Sequence, residues 1–240
     1  VSALVAVGVV IVYIATTILM AVPQNGATRA LTAPARPFFS QQWNVFAPSI
    51  QKASRFLEVQ SQWRDESGAL VKSDWIPVTE SEYGASEGQL QGSRTNKQSA
   101  NLVKTYMTRY QALSTEQQEV VRDTFIRRTD TGYAAKTADS LIEQLSGLED
   151  GTRGRVISFL RHEYVVKEFA TYWSTAYFGR DVERVRWRVV TTRPNDFDRR
   201  LDDARQYEPS VRTFGWRHVD DVIDPQALSV YQSVVERYAR

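Results

Sequence analysis

A chain of 240 residues with 24% charged and 11% aromatic side chains has material for one folded domain, and its net charge is only +2. That balance argues against a nucleic-acid partner, which requires Lys and Arg clustered in a patch with interleaved aromatics. The absence of cysteine excludes disulfides, thiolate metal ligation and thiol catalysis, while His162 and His218 alone are too few for a histidine-rich metal centre and a poor start for a Ser-His-Asp triad.

Val1 to Val22 carries no charged residue, and its Val, Ile, Leu, Ala and Gly suit lipid on every face. A helix of this length reaches about 33 Å, slightly more than the hydrocarbon core of a bilayer. The segment 1–24 is therefore predicted to be a transmembrane anchor. A cleavable secretory signal is the competing reading, but a signal has a shorter apolar region and a small-residue cleavage site. The chain opens on Val1 rather than Met, so further N-terminal residues are expected before it. Arg29 and Arg36 alone favour a cytoplasmic domain, but large C-terminal domains translocate largely regardless of such charges.

Residues 25–52 read as a tether and a docking motif. Pro23 to Pro37 has no helical periodicity and is predicted to be extended or irregular. Pro37 to Ile50 (PFFSQQWNVFAPSI) is the most distinctive short stretch, with Phe39, Trp43 and Phe46 at i, i+4, i+7 on one face of a short helix ended by Pro48. Large aromatics this close to an anchor suit the bilayer interface. One reading is a helix lying on lipid or on its own domain. The sharper one makes Phe38, Phe39, Trp43, Phe46 and Pro48 a partner-binding element for another membrane protein.

With one N-terminal span, a W-x-x-F-A-P element (Trp43, Phe46, Ala47, Pro48) and then a strand, a turn and a Trp-containing strand, the chain resembles an actinobacterial family of uncharacterised single-pass membrane proteins. Members of that family are often encoded beside polytopic membrane proteins similar to the vitamin K-dependent carboxylase, the HTTM class. The resemblance implies an extracytoplasmic domain and a membrane partner, and it carries over no catalytic residue.

Segment 53–240 is predicted to be α+β. Arg55 to Trp63 alternates, with Leu57, Val59, Ser61 and Trp63 on one face and Phe56, Glu58, Gln60 and Gln62 on the other. Asp65 to Gly68 turns it into an edge strand over Leu70 to Val78, which holds Trp75 and ends at Pro77. Glu80 to Gln98 reads as a loop and a helix start, and the pattern from there to about Phe178 is helical. Leu102, Tyr106, Tyr110 and Leu113 mark one helix, and Ser114 and Gln117 form a capping box for the next. A third helix covers Thr137 to Leu145. The longest lies between Gly154 and Gly179, with Val156, Phe159, Leu160, Tyr164, Val166, Phe169 and Tyr172 inward.

Asp181 to Thr192 is the clearest strand, with Val185, Trp187 and Val189 facing one way and Arg184, Arg186 and Arg188 the other. Three arginines on one face suggest phosphate or carboxylate binding, but a solvated face paired with acidic neighbours such as Glu58 explains them more simply. Thr213 to His218 is the last predicted strand and Pro225 to Arg240 the last helix, with Leu228, Tyr231, Val234, Val235 and Tyr238 inward. The distant strands are expected to meet in one small antiparallel sheet with a helical insertion.

Catalytic signatures are thin. His162 and Glu163 begin an H-E-x-x-H pattern, but Val166 stands where the second histidine belongs. The acidic residues Glu143, Glu149 and Asp150, like Asp220, Asp221 and Asp224, sit where helix dipoles explain them. No Gly-rich phosphate loop, G-x-S-x-G or calcium loop occurs. The reading is a non-catalytic, membrane-anchored accessory or structural subunit, with no cofactor and no metal, packing against a polytopic membrane protein. The alternatives are a tethered module for a lipid or cell-wall ligand, with an aromatic-walled pocket near Trp173, Trp187 or Trp216, and an enzyme without a recognisable motif.

Overall fold

Helix α1 covers Ser2–Ala21 with no charged side chain along it, and its apolar residues from Leu4 to Ile18 are exposed. At 1.5 Å per residue it is about 30 Å long, the thickness of a bilayer's hydrocarbon core. Its Ala3–Met20 stretch is long and apolar enough to cross a membrane. The hydroxyls that would disturb such a surface are turned back on the helix: Thr16 donates to the Val12 carbonyl at 2.7 Å and Thr17 to that of Tyr13 at 2.9 Å.

The computed structural model describes residues 2–21, 26–33, 53–84, 97–130, 132–199, 201–219 and 222–239. The chain forms two units, Val1–Gln51 and Lys52–Arg240. In the first, the tether departs from expectation, because Gly26–Thr32 is helical (α2). Pro23 and Pro34 bracket this stretch rather than interrupt it, and Ala27, Arg29, Ala30 and Leu31 are good helix formers. The expected partner-binding residues Phe38, Phe39, Trp43, Phe46 and Pro48 lie outside the described residues.

The second unit is the expected α+β domain. Strand β1 (Ser54–Arg64) pairs antiparallel with β2 (Leu70–Lys72) on one side and with β5 (Arg184–Thr192) on the other; β6 (Ser210–Thr213) and β7 (Arg217–His218) both pair with β5. Register follows from burial. Leu57 opposes Val189 and Val59 opposes Trp187, and all four are buried. A slip of one residue would expose this whole set. The return strand is shorter than expected, ending at Lys72, and only the bridge between Val59 and Ile76 continues the pairing. Ser73 takes its place: its hydroxyl accepts from the Ser61 amide at 3.0 Å, and its amide donates to the Ser61 carbonyl at 2.9 Å.

Helices cover the inner face. They are α3 (Val78–Gly84), α4 (Gln98–Gln111), α5 (Thr115–Val121), α6 (Ala138–Ser146), α7 (Arg153–Phe178) and α8 (Pro225–Tyr238). Helix α3 occupies part of what reads as a loop in the sequence, and the capping box at Ser114 and Gln117 forms as expected. Helix α7 ends at Gly179 in the left-handed conformation, φ 63°, that glycine alone adopts freely. Ser174 on α7 accepts a 2.6 Å hydrogen bond from Ser61 on β1. Between α4, α7 and the sheet lies an aromatic core, in which Tyr106 is 5.4 Å from Phe159, 6.0 Å from Trp187 and 5.0 Å from Phe214, centroid to centroid.

Three expectations are corrected. Tyr164 is 38% exposed, because Glu163 and Lys167 join the expected Val166 on the inward face of α7 instead. A hairpin, β3 (Ile126–Thr129) with β4 (Gly132–Ala135), interrupts the helical region. The last strand is broken into β6 and β7, because after Phe214, whose amide still donates to the Trp187 carbonyl at 2.9 Å, Gly215 and Trp216 turn to the segment after α5: the Gly215 amide donates to the Arg122 carbonyl at 2.9 Å and the Phe125 amide to the Trp216 carbonyl at 2.9 Å.

Candidate functional site

The alternation that buries Val185, Trp187 and Val189 sends Arg184, Arg186 and Arg188 to the outer face of the sheet. Register sets them opposite Gln62, Gln60 and Glu58 respectively. Arg188 pairs with Glu58 as expected, its Nε donating to Oε2 at 2.6 Å. Arg184 lies 3.2 Å from the carboxylate of Glu183. Arg186 instead donates from Nε to Gln60 Oε1 at 2.7 Å, and Gln60 is fixed in turn by donating to the Ser73 carbonyl at 2.6 Å.

Aromatic rings interleave with these cations. Trp75 reaches in from the segment beside β1, 5.1 Å from the Arg186 guanidinium and 4.5 Å from that of Arg188. Trp216, from the connection between β6 and β7, lies 4.6 Å from Arg186, and Tyr133 on β4 lies 4.9 Å from Arg184. Each is within the reach of a cation-π contact. Burial, and secondarily the charge of Arg188, hold the Arg186 guanidinium below its ordinary pKa.

The arginines and Glu58 are legible in the sequence as one strand face, whereas the placement of Trp75 and Trp216 against that face and the role of Gln60 are not. Trp75 precedes Pro77 and Trp216 follows Gly215, so both lie in irregular stretches where no periodicity marks a face. Gly215 makes the placement of Trp216 possible. A Cβ there would stand 2.5 Å from the backbone of Asp123 and Thr124, closer than any real contact. Gly215→Ala is expected to destabilise the domain by about 1–3 kcal/mol, because the backbone must move apart. Urea denaturation measures it, and an unchanged midpoint would show that the close approach does not matter.

Two other polar clusters are internal. Glu163 accepts from Arg217 Nε at 2.5 Å and from the Tyr106 hydroxyl at 2.7 Å, so the glutamate of the incomplete H-E-x-x-H pattern is committed to the core. His162 meets the Ser158 carbonyl at 2.9 Å through Nδ1. Glu82 on α3 is 2% exposed and accepts from the Ser99 hydroxyl at 2.5 Å; burial pushes its pKa to about 7 against those hydrogen bonds. Beside it, Gln98, Trp173, Val230, Tyr231 and Val234 line a cavity of about 60 Å³. This is an aromatic-walled space next to Trp173, with room for a few waters. Among the described residues, no group of three or more His, Cys, Asp or Glu side chains is placed to hold a metal ion.

A helix able to span a membrane, followed by an α+β domain with an Arg- and Trp-lined sheet face, defines the class of protein. Residues 22–219 match a family of unknown function, DUF5819, and the chain belongs to that family. The match begins after α1 and extends through β7, so it includes the whole sheet. No curated protein and no solved structure matches the chain.

Proposed function

We propose that this protein is a non-catalytic, membrane-anchored accessory subunit that packs against a polytopic membrane protein. The observation that carries this reading is the outer sheet face, where Arg184, Arg186 and Arg188 alternate with Trp75, Trp216 and Tyr133. Arg, Trp and Tyr are the residues that dominate binding energy at protein interfaces, and Lys, depleted at such interfaces, does not occur on this strand. Helix α1 would hold the domain beside its partner, and Ala3, Ala6, Gly8, Ala15 and Thr16 permit close helix packing within the membrane. The juxtamembrane aromatics Phe38, Phe39, Trp43 and Phe46, with Pro48, form a second docking element. The domain lies outside the cell membrane, and the partner is of the carboxylase-like polytopic class found beside the actinobacterial proteins that this chain resembles.

Purification from source membranes in mild detergent, through a C-terminal tag, tests the reading by mass spectrometry and native sizing. The expected result is a stoichiometric polytopic partner. Trp43→Glu is expected to lower its recovery at least about tenfold, by placing a charge in an apolar contact. A protein recovered alone in a micelle would overturn the accessory role and favour a tethered module for an envelope ligand. Recovery unchanged by Trp43→Glu would remove the docking role of the motif.

A further inference from the structure

On the outer sheet face the charges do not balance. Arg188 has Glu58 and Arg184 has Glu183, but among the described residues no carboxylate lies within ion-pair distance of Arg186. Its Nε is engaged by Gln60, and Gln60 is 5% exposed and itself held by the Ser73 carbonyl. Trp75 and Trp216 flank the guanidinium from opposite edges of the sheet. Trp216 is in turn fixed through its backbone, its amide donating to Thr124 Oγ1 at 3.3 Å and its carbonyl accepting from Phe125. The side chain is thus held at one nitrogen and between two rings, while both Nη groups make no hydrogen bond among the described residues. A half-buried cation whose paired donors are fixed and free has lost part of its hydration with nothing in return.

We propose that Arg186, Trp75 and Trp216 form a socket for one carboxylate, an aspartate or glutamate side chain of the partner protein. A carboxylate is planar, pairs with both Nη groups at once and fits between indole walls, whereas a phosphate is tetrahedral and larger. Glu183 is shared between Arg184 and Arg64 and Glu58 is taken by Arg188, so a carboxylate for Arg186 has to come from outside this face. The socket rests on the accessory-subunit reading, deepens it, and makes Arg186 its specificity-determining contact. With the two indoles shielding it in the complex, the pair would be stronger than one at the rim of an interface.

Photo-cross-linking in source membranes tests the socket. A benzophenone amino acid replaces Val211, which is exposed and opposes Val190 on the same face. The cross-linked complex is recovered through the C-terminal tag and its adduct mapped by mass spectrometry. The expected result is a single polypeptide segment containing Asp or Glu, with a yield that falls at least about tenfold in Arg186→Gln and in Arg186→Lys, which keeps the charge but not the planar donor pair. Thermal melting of each variant checks that the domain still folds. Arg186→Glu combined with the acidic residue's change to Arg is expected to restore the adduct. An adduct indifferent to both Arg186 variants, an adduct to lipid, or no adduct while the polytopic partner still co-purifies would each overturn the socket and leave the accessory role standing. Failure of any partner to co-purify would overturn both.

Discussion

Arg217→Ala is expected to destabilise the domain by about 3–5 kcal/mol, a large share of the total stability of an ordinary domain. Arg217 is 2% exposed and Glu163 is 3% exposed, and the guanidinium ties β7 to two other parts of the chain, α7 and the end of α5. Nε donates to Glu163 on α7 at 2.5 Å, Nη1 to the Asp123 carbonyl at 2.7 Å and Nη2 to the Val121 carbonyl at 2.8 Å. The Phe125 ring lies 3.8 Å from the guanidinium. Removing the arginine leaves a buried carboxylate without its counter-charge and two carbonyls without this donor, and this unmet demand accounts for most of the cost. Glu163→Leu alone is expected to cost about as much, by leaving the cation unpaired. The combination Glu163→Leu with Arg217→Ala is expected to cost about 2 kcal/mol less than the sum of the single changes, since neither charge remains to be solvated. Urea denaturation of the four proteins measures this cycle. Additive changes, or single changes below about 1 kcal/mol, would show that the pair does not hold α7 to the sheet.

What the sequence reveals and conceals follows from the range of the forces involved. Val185, Trp187 and Val189 against Arg184, Arg186 and Arg188 is a strict alternation, and it is legible because one face of β5 is buried and the other is not. The capping box at Ser114 is legible because its partners are three residues apart. The break between β6 and β7 has no such local sign. It is imposed by Gly215 closing on Asp123 and Thr124, and the neighbouring Trp216 contacts Thr124 from 92 positions away. The β3–β4 hairpin is hidden for a different reason, as strands of four residues between helices are too short to establish a period. Glu163 and Lys167 turn inward on α7 against their polarity, and the first of these is explained by distant partners, Arg217 on β7 and the Tyr106 hydroxyl on α4. The candidate site divides the same way: its cations lie on a regular strand, while its tryptophans come from irregular segments of distant sequence.

The domain is expected to lose up to about 3 kcal/mol of stability between pH 4.5 and pH 8 through one carboxyl group, Glu82. Burial raises its pKa from 4.5 to about 7, opposed only by the hydroxyl and amide of Ser99. A folded-state pKa above the unfolded value means that the folded protein binds the proton more tightly. The contribution is therefore complete below the unfolded pKa and disappears as pH rises through about 7. Charging the group has structural consequences because of where it sits. Ser99 on α4 links Glu82 to Thr79 Oγ1 at 2.7 Å, and Thr79 accepts the Leu57 amide of β1 at 2.9 Å. On the other side, across the cavity, Tyr231 of α8 has its own pKa pushed to about 12, by burial first and by the charges of Glu168, Tyr172 and Glu82 after it. Tyr231 stacks on Tyr172 at 5.3 Å and meets Phe169 edge-on at 5.8 Å, and these rings fasten α8 to α7. An ionised Glu82 thus places an unpaired charge under the inner side of α8. Amide exchange in Pro225–Tyr238 is expected to quicken above pH 7 beyond the ordinary chemical rate. Glu82→Gln keeps an acceptor for Ser99 and cannot ionise, so its stability is expected to exceed wild type at pH 8 and to fall less steeply with pH. The difference between the two pH profiles, measured by denaturant unfolding, isolates this group from every other titration. Parallel profiles would show that Glu82 titrates as an ordinary carboxylate and that α8 is indifferent to its charge.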